Sequence, residues 1–389
     1  MADISSKSWS DVFLNDGHKE LARMVRDFAK KEILPKAAEI DRNHRFPTEV
    51  ISQMSEMGLM GISVDPEWGG AGMDAMSYTV ALEEISVACA STGVIMSVNN
   101  SLVCHPLSKF GSTEQKQKWL KDLATGKILG CYCLSEPGSG SDAGAMRTKA
   151  EKKNGKWILN GVKNFITNGR EASVAIVFAI IDPSLKHKGI GAFIVPANSK
   201  GYSIGKVEDK LGICGSSTTQ IILENVELDE SALLGKEGDG FKIAMNTLDG
   251  GRIGIASQAV GIARASLENA VTYSLDRQAF GKPIAELGAI QHHLSEMSVR
   301  VSGSRLMVRA AAMKKDLGEN FSKEAAEAKL YAAESAMDVT VRGIQVLGGY
   351  GYTKEYPQER HFRDAKITEI YEGTSEIQRL VIARALTKE

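Results

Sequence analysis

Residues 218–250 read TTQIILENVELDESALLGKEGDGFKIAMNTLDG, and the sequence pattern changes within this stretch. Its first part, like the runs that precede it from about residue 129, is rich in β-branched residues and interrupted by turn residues, which is typical of short strands. After GKEGDG (235–240) the apolar residues recur with a helical period, and this period persists toward the C-terminus. The stretch therefore marks the boundary between a β domain and a helical domain.

The residues before this β region also carry helical patterns, so the chain divides into three parts. A chain of 389 residues exceeds what one hydrophobic core usually supports. We expect an α+β multidomain protein with an N-terminal helical domain (1–128), a middle β-barrel or β-sandwich domain (129–235) and a C-terminal four-helix bundle (236–389).

The composition excludes several classes of protein. Hydrophobic residues make up 43% of the chain, charged residues 24%, and the formal net charge is -1, which argues against nucleic acids and anionic membranes as partners. No apolar run approaches the roughly 20 residues that span a bilayer, and the N-terminus has neither an apolar signal core nor an Arg-rich transit pattern. We expect a soluble protein of a bacterial cytoplasm or, for a mature eukaryotic chain, of the mitochondrial matrix.

The cysteines give no sign of a metal site or a disulfide framework. They are odd in number and form no CxxC pair, so free thiols in a reducing compartment and no zinc site are expected. The five are Cys89, Cys104, Cys131, Cys133 and Cys214. Strand alternation puts the sulfurs of Cys131 and Cys133 on one face, where packing is the expected role.

Near the C-terminus, the segment ITEIYEGTSEIQ (367–378) places a carboxylate, Glu372, between a tyrosine and a glycine. Ser375 and Gln378 have capping-box spacing, so we expect a helix to begin near Thr374 or Ser375, with Glu372 on the preceding loop. Glu372 is then either a solvated acid at the positive end of a helix dipole or a base aimed into a site. These twelve residues alone favour the first interpretation.

Three other segments carry residues suited to a ligand. YCLSEPGSGSDAGAM (132–146) contains G-x-G-x-x-A, but a hairpin pattern follows it where a dinucleotide-binding turn would open a helix. Its serines and glycine N–H groups instead suit the polar edge of a flavin or a phosphate. NFITNG (164–169) offers Phe165 as a flat apolar surface. DGGRIG (249–254) is expected to interrupt a long helix where a ligand approaches closely.

Taken in order, these segments resemble the acyl-CoA dehydrogenase family, closest to its short-chain (butyryl-CoA) branch. The resemblance covers essentially the whole chain. It is carried by GGAG (69–72), LSEPGSGSDAG (134–144), FITNG (165–169), LDGGRIGIA (248–256), RQAFGKP (277–283), QVLGGYGYTKEYPQERHFRDAKI (345–367) and IYEGTSEIQRL (370–380).

The resemblance implies a role for each matching position. Glu372 matches the catalytic base, which removes the α-proton of an acyl-CoA thioester while the flavin accepts the β-hydride, and its backbone N–H is implied to hold the thioester oxygen together with a ribityl hydroxyl of FAD. The implied acyl-CoA contacts are Ser141, Asp249, Gly250, Gly251, Arg252 and Gly373. The implied FAD contacts are Tyr132, Cys133, Leu134, Ser135, Gly140, Ser141, Phe165, Ile166, Thr167, Thr374, Ser375 and Glu376.

A second set of positions matches residues that bind the FAD of a neighbouring subunit, which implies a homotetramer built as a dimer of dimers. This set is Arg277, Phe280, Gln345, Val346, Leu347, Gly348 and Gly349. Two positions depart from the family pattern. Many relatives have Trp where this chain has Phe165, and close relatives have Arg where it has Cys214.

The expected activity is FAD-dependent α,β-dehydrogenation of a short acyl-CoA, with butyryl-CoA as the expected substrate, the trans-2-enoyl-CoA as product and an electron-transferring flavoprotein as electron acceptor. Isovaleryl- and long-chain relatives carry the base at the position of Gly251, so this chain follows the short- and medium-chain pattern. The alternatives are a branched-chain (2-methylbutyryl or isobutyryl) or glutaryl-CoA dehydrogenase, a flavin oxidase or monooxygenase, and a non-catalytic scaffold.

Overall fold

Helices form the first part of the chain, and side-chain caps set several of their starts. The structure, a computed structural model, describes residues 9–387, so the ends of the two predicted outer domains (1–8 and 388–389) lie outside the described residues. Ser112 and Gln115, for example, form a capping box at the start of α7. The α-helices are α1 Asp16–Phe28, α2 Ala37–Arg42, α3 Thr48–Glu56, α4 Ala75–Ala88, α5 Ala90–Ser97, α6 His105–Phe110, α7 Thr113–Gln115 and α8 Lys121–Ala124.

The middle of the chain forms a mixed sheet. Its strands are β1 Leu129–Cys133, β2 Lys149–Lys153, β3 Lys156–Thr167, β4 Ala172–Ile180, β5 Ile190–Pro196, β6 Tyr202–Val207, β7 Thr218–Asp229 and β8 Leu233–Leu234. They are ordered β6-β7-β3-β2-β4-β5-β8, and β1 pairs in parallel with β4. Asn154 and Gly155 join β2 to β3 with φ values of 51° and 72°, as a two-residue hairpin turn requires. A hairpin thus follows the glycine-rich segment, as the sequence predicted.

After the sheet, long helices and one short hairpin form the C-terminal part. The elements are α9 Gly240–Asp276, β9 Gln278–Ala279, β10 Lys282–Pro283, α10 Gly288–Asp316, α11 Ser322–Leu347, α12 Gln358–Ile367 and α13 Ser375–Thr387. The predicted architecture of helices, sheet and helical bundle is confirmed.

One prediction about α9 is wrong, because DGGRIG does not interrupt the helix. The helix is continuous from Gly240 to Asp276. Its glycines instead allow close packing: a β-carbon at Gly254 would lie 2.6 Å from the Tyr78 hydroxyl oxygen, and one at Gly261 would lie 2.6 Å from Cβ of Ser86. Both partners belong to α4, so the approach of these two helices compensates for the low helix propensity of glycine.

The cysteines are free and buried, as expected. The sulfurs of Cys131 and Cys133 lie 3.7 Å apart on the same face of β1, within the apolar core of the sheet. Cys214 contacts Arg363 of α12 at 3.9 Å, and Arg363 also pairs with Asp41 of α2 at 2.6 Å. Residue 214 therefore lies where the three parts of the chain meet. Within residues 9–387, none of the helices has the length and apolar character needed to cross a membrane.

Candidate active site

Glu372 lies on a tight turn between α12 and α13. Glu372 and Gly373 have φ values of 52° and 95°, so two successive residues adopt the left-handed conformation, which costs little for glycine but is uncommon for glutamate. Helix α13 begins at Ser375, as predicted. A non-glycine residue in such a conformation persists only when its surroundings hold it there, and such residues cluster at functional sites.

The predicted capping box at this helix is wrong, because the helix is capped one residue earlier. Oγ1 of Thr374 accepts a hydrogen bond from the backbone N–H of Ile377 at 3.3 Å. Gln378 is therefore one position too far along the helix to close a box. Its side-chain amide instead donates to the carbonyl of Gly373 at 2.7 Å, which attaches α13 to the turn.

The Glu372 carboxyl group points into the protein. Its Oε2 atom is buried and has no hydrogen-bond partner in the described part of the chain. A β-carbon at Gly251 would lie 2.0 Å from this oxygen, so the carboxyl group occupies the space left by the missing side chain on α9. Burial raises the pKa of Glu372 to about 7, against the opposing effect of Lys329 and Arg252. The interpretation as a solvated surface acid is therefore wrong.

Two cationic side chains act on this carboxyl group. Arg252 forms an ion pair with Asp249 on the same helix, and Asp249 also accepts a hydrogen bond from Oγ of Ser322 at 3.0 Å. Lys329 donates to the carbonyl of Gly373 at 2.6 Å from the middle of α11. Of the predicted substrate set, Gly251, Arg252 and Gly373 thus lie next to Glu372, and Asp249 pairs with Arg252. Lys329 was missed, and its one sequence signal is a lysine among alanines and other small or apolar residues in AAEAKLYAA (325–333).

Tyrosine side chains form a further part of the environment of Glu372. The hydroxyl of Tyr371 donates to Oε1 of Gln258, and the hydroxyl of Tyr78 is hydrogen-bonded to Oγ of Ser97 at 3.0 Å. Burial raises the pKa of Tyr78, Tyr132 and Tyr371, and the negative charge of Glu372 raises it further. The phenols therefore stay neutral beside the carboxylate.

The glycine-rich segment is tied to strand β3. The backbone N–H of Asn164 donates to the carbonyl of Ser135 at 2.9 Å, and the buried side chain of Lys163 pairs with Glu136 at 2.8 Å. Glu136 also accepts the backbone N–H groups of Arg147 and Thr148 at 2.6 and 3.0 Å. The structure thus brings together two segments of the predicted FAD set, 132–141 and 165–167, that lie apart in the sequence.

The side chains of these segments divide into two groups. Cys133 and Ile166 point into the core of the sheet, so only their backbone atoms are available to a ligand. Phe165, in contrast, has a φ of 58° and a side chain that is 64% exposed, although it belongs to a strand. Ser139 is not a free donor, because its hydroxyl already bonds the carbonyl of Asp142 at 2.7 Å.

These residues fit a flavin. Phe165 presents an aromatic face beside the glycine-rich segment, where β-carbons at Gly138 and Gly140 would meet nothing within 4 Å. Ser375, at the start of α13, has a buried hydroxyl without a partner among residues 9–387, and the N-terminus of a helix suits an anionic group. A bound cofactor with polar edges would use the open space at Gly138 and Gly140, the exposed ring of Phe165 and the unsatisfied hydroxyl of Ser375.

The second predicted FAD set forms a separate group. A cavity of about 450 Å³ is lined by Arg277 and residues 346–349, together with Tyr273, Ile284, Tyr350 and Thr353. The guanidinium of Arg277 lies 5.8 Å from the ring centre of Tyr350. Phe280 projects from the hairpin of β9 and β10 and is 91% exposed. None of residues 132–141 or 165–167 lines this cavity.

The order of helical, sheet and helical parts agrees with the comparison to known families. Three family models match in order: acyl-CoA dehydrogenase N-terminal domain over residues 15–127, middle domain over 131–226 and C-terminal domain over 238–387. The chain therefore belongs to the acyl-CoA dehydrogenase family.

Similar proteins within the family include short-chain enzymes. The chain is 54% identical to the mitochondrial short-chain specific acyl-CoA dehydrogenase of Bos taurus over 380 residues, covering 98% of this chain and 92% of the relative. The structure of butyryl-CoA dehydrogenase from Megasphaera elsdenii matches with a TM-score of 0.95 and 42% identity, covering 96% of this chain and 99% of that one.

Two further solved structures bear on cofactor and electron transfer. A chain in a solved structure that concerns the electron transferring flavoprotein of Acidaminococcus fermentans matches with a TM-score of 0.95 and 45% identity. The match covers 97% of this chain and 99% of that one. A glutaryl-CoA dehydrogenase from Mycobacterium smegmatis, solved in complex with FADH2, matches with a TM-score of 0.93 and 33% identity, covering 97% and 96%. Members of the family are flavoproteins.

Proposed function

We propose that this protein catalyses the FAD-dependent α,β-dehydrogenation of a short-chain acyl-CoA, with butyryl-CoA as substrate and the trans-2-enoyl-CoA as product. The observation that carries the proposal is the buried, unpaired Oε2 of Glu372 facing Gly251. A carboxyl group with a pKa near neutrality is suited to accept a proton at physiological pH. High identity to short-chain enzymes supports the choice of acyl group.

In the reaction, Glu372 removes one proton from the α-carbon of the thioester. FAD held by residues 132–141, 165–167 and 374–376 would supply an acceptor for the hydride of the β-carbon, so that the substrate would lose one proton and one hydride and gain a double bond. The α-proton of a thioester is weakly acidic, so the developing enolate oxygen needs hydrogen-bond donors, and the backbone N–H of Glu372 is proposed as one of them. The hydroxyls of Tyr371 and Tyr78 are hydrogen-bonded to Gln258 and Ser97, and these side chains are proposed to limit the access of water to the carboxylate.

The proposed FAD site comprises residues 132–141, 165–167 and 374–376. The serine hydroxyls and glycine N–H groups would contact its polar edges, and Phe165 would flank the flavin ring. The cavity at Arg277 and residues 346–349 is proposed to receive the FAD of a neighbouring subunit in a homotetramer. An electron-transferring flavoprotein is proposed as the electron acceptor.

An anaerobic titration of the purified protein with butyryl-CoA, followed by visible absorbance, tests the proposal. Loss of the flavin absorbance bands on titration is expected for the wild-type protein. Glu372→Gln should retain FAD but reduce the flavin about 10²- to 10⁴-fold more slowly, because the general base is gone. Protein purified without flavin, or Glu372→Gln with wild-type rates, would contradict the proposal. If flavin is present but does not bleach, isobutyryl-, 2-methylbutyryl- and glutaryl-CoA test the alternative acyl groups.

A further inference from the structure

We propose that Lys329 is the positioning residue of the proposed base: its ammonium group holds the peptide that follows Glu372 and supplies the positive charge that keeps the Glu372 carboxylate ionised. This inference rests on the proposed function, in which Glu372 takes up the α-proton. It gives a role to a residue that lies outside every motif from which the site was predicted.

The position of Lys329 is unusual for a lysine. Its side chain lies in the middle of α11 with none of its surface exposed. A buried ammonium group is costly unless hydrogen bonds and opposite charge compensate for lost hydration. Lys329 donates to the backbone carbonyl of Gly373 at 2.6 Å and forms no close ion pair with a carboxylate within residues 9–387. Its charge is therefore not neutralised locally and acts on the groups around the turn.

The turn has one charged and one neutral anchor. Nε2 of Gln378 donates to the same Gly373 carbonyl at 2.7 Å and approaches the carbonyl of Glu372 at 3.4 Å. Both anchors hold the backbone in the left-handed conformation that directs the Glu372 side chain toward Gly251. Lys329 carries a charge and Gln378 does not. Mutating each in turn therefore separates the effect of holding the turn from the effect of the charge on the carboxylate.

The charged groups around Lys329 come from several elements. Glu372, Glu369 and Glu376 favour its protonated form, and Arg252 on α9 opposes it. Burial is the largest effect and lowers the pKa of Lys329 to about 8, so the ammonium form still prevails at pH 7.

Two cations oppose the rise in the pKa of Glu372, and Lys329 has a larger effect than Arg252. Arg252 is already engaged in an ion pair with Asp249, whereas Lys329 has a neutral partner. The other titratable groups that face the carboxylate are the neutral phenols of Tyr78, Tyr132 and Tyr371. Lys329 is thus the cation best placed to set the pH range in which Glu372 is ionised.

Exchange of the α-protons of acetyl-CoA in D₂O tests this role. Acetyl-CoA has α-protons but no β-carbon, so its deuterium uptake reports proton abstraction without hydride transfer. The flavin-loaded protein would be incubated with acetyl-CoA over a range of pH, and deuterium incorporation measured by mass spectrometry. The variants are Lys329→Gln, which keeps a neutral donor, Lys329→Arg, which keeps the charge, and Gln378→Met, which removes the neutral anchor. Lys323→Met, at a partly exposed position of α11, is the control.

In Lys329→Gln, the acid limb of the exchange profile should move to higher pH by about one unit or more, because an adjacent opposite charge shifts a carboxyl pKa by this amount. A rise of one unit from about 7 lowers the ionised fraction of Glu372 at pH 7 from about one half to about one eleventh, so exchange at pH 7 should fall about fivefold. Lys329→Arg should restore the wild-type midpoint, and Gln378→Met should lower the rate without moving the midpoint.

An unchanged midpoint in Lys329→Gln, with melting temperature and flavin content like those of the wild type, would overturn the proposal. If Lys329→Gln does not fold, a shifted midpoint in Lys329→Arg would also overturn it. Failure of the flavin-loaded wild-type protein to exchange acetyl-CoA and to bleach with butyryl-, isobutyryl-, 2-methylbutyryl- or glutaryl-CoA would instead overturn the proposed function, and with it this inference.

Discussion

The Glu372 carboxyl group occupies the space that a side chain at Gly251 would need: a β-carbon at Gly251 would lie 2.0 Å from Oε2 of Glu372. The two residues lie on different elements, the turn before α13 and the interior of α9. Glycine is unfavourable inside a helix. Its presence at position 251 is explained by the space that the absent side chain leaves. The carboxyl group of the proposed base fills that space.

Gly251→Ala should therefore lower the rate of flavin reduction by butyryl-CoA about 10²-fold, because displacing a catalytic group by about 1 Å has an effect of this size. The melting temperature should change little, because the clash involves the end of a flexible side chain. Stopped-flow absorbance and thermal unfolding measure the two quantities.

Gly250→Ala is the matched comparison on the same helix. Its β-carbon would meet nothing closer than Nζ of Lys315 at 3.6 Å, an ordinary contact, so a much smaller loss of rate is expected. Equal losses in the two variants would contradict the steric explanation.

The rate of flavin reduction should depend on pH through Glu372. Burial raises the pKa of this group to about 7, and only the ionised form accepts the α-proton. The rate should therefore fall about tenfold per pH unit below pH 7 and level off above it. The measurement is kcat/KM for butyryl-CoA between pH 5 and 9, at saturating electron acceptor. A profile without an acid limb near neutrality would show that another group is the base.

Lys163→Met should weaken the retention of FAD. Lys163 and Glu136 form a buried ion pair, and Glu136 also holds the backbone of Arg147 and Thr148, so removing the ammonium leaves a buried carboxylate unpaired. The glycine-rich segment would lose its side-chain attachment to β3 and keep only the backbone hydrogen bond from Asn164 to Ser135. The ratio of flavin absorbance to protein absorbance after purification should fall several-fold.

Lys206→Met tests whether loss of any lysine has this effect. Lys206 pairs with Glu208 at 2.6 Å, but its side chain is mostly exposed, so little change in flavin content is expected. If Lys163→Met keeps a full complement of flavin, the ion pair does not shape the cofactor site.

Arg363→Met should destabilise the protein, because Arg363 of α12 joins Asp41 of α2 and the carbonyl of Leu211 in one network. Both charged side chains are largely buried, so removing one leaves an uncompensated charge, with a loss of about 2 kcal/mol and a melting temperature lower by a few degrees. Arg379→Met removes an exposed pair with Glu334 and should leave the melting temperature almost unchanged. Equal melting temperatures for the two variants would contradict this account.

The sequence predicted features that depend on local pattern. The change from strand to helix near residue 235 follows from periodicity, and the turn before α13 follows from the position of Gly373 and the capping residues. The cap itself was predicted one residue too late, because Thr374 and Ser375 are both able to cap a helix and only the folded backbone selects between them.

The features that were missed depend on contacts between distant segments. DGGRIG resembles a helix break because glycine disfavours helices, but the packing of α4 and of Glu372 against α9 requires glycine there. Lys329 contacts Gly373 from another helix, and nothing near Lys329 in the sequence indicates that contact. The electrostatic environment of Glu372 was therefore not predictable from its own segment.

The turn that carries Glu372 is held by groups from α11 and α13, and its carboxyl group is accommodated by α9. The last of these elements to leave the ribosome is α13, which supplies Gln378. The left-handed turn therefore has its full set of supports only after α13 has docked. We expect chains that lack α13 to acquire the sheet and much of the helical core while still lacking an ordered turn at Glu372, so the geometry proposed for catalysis should form late in folding.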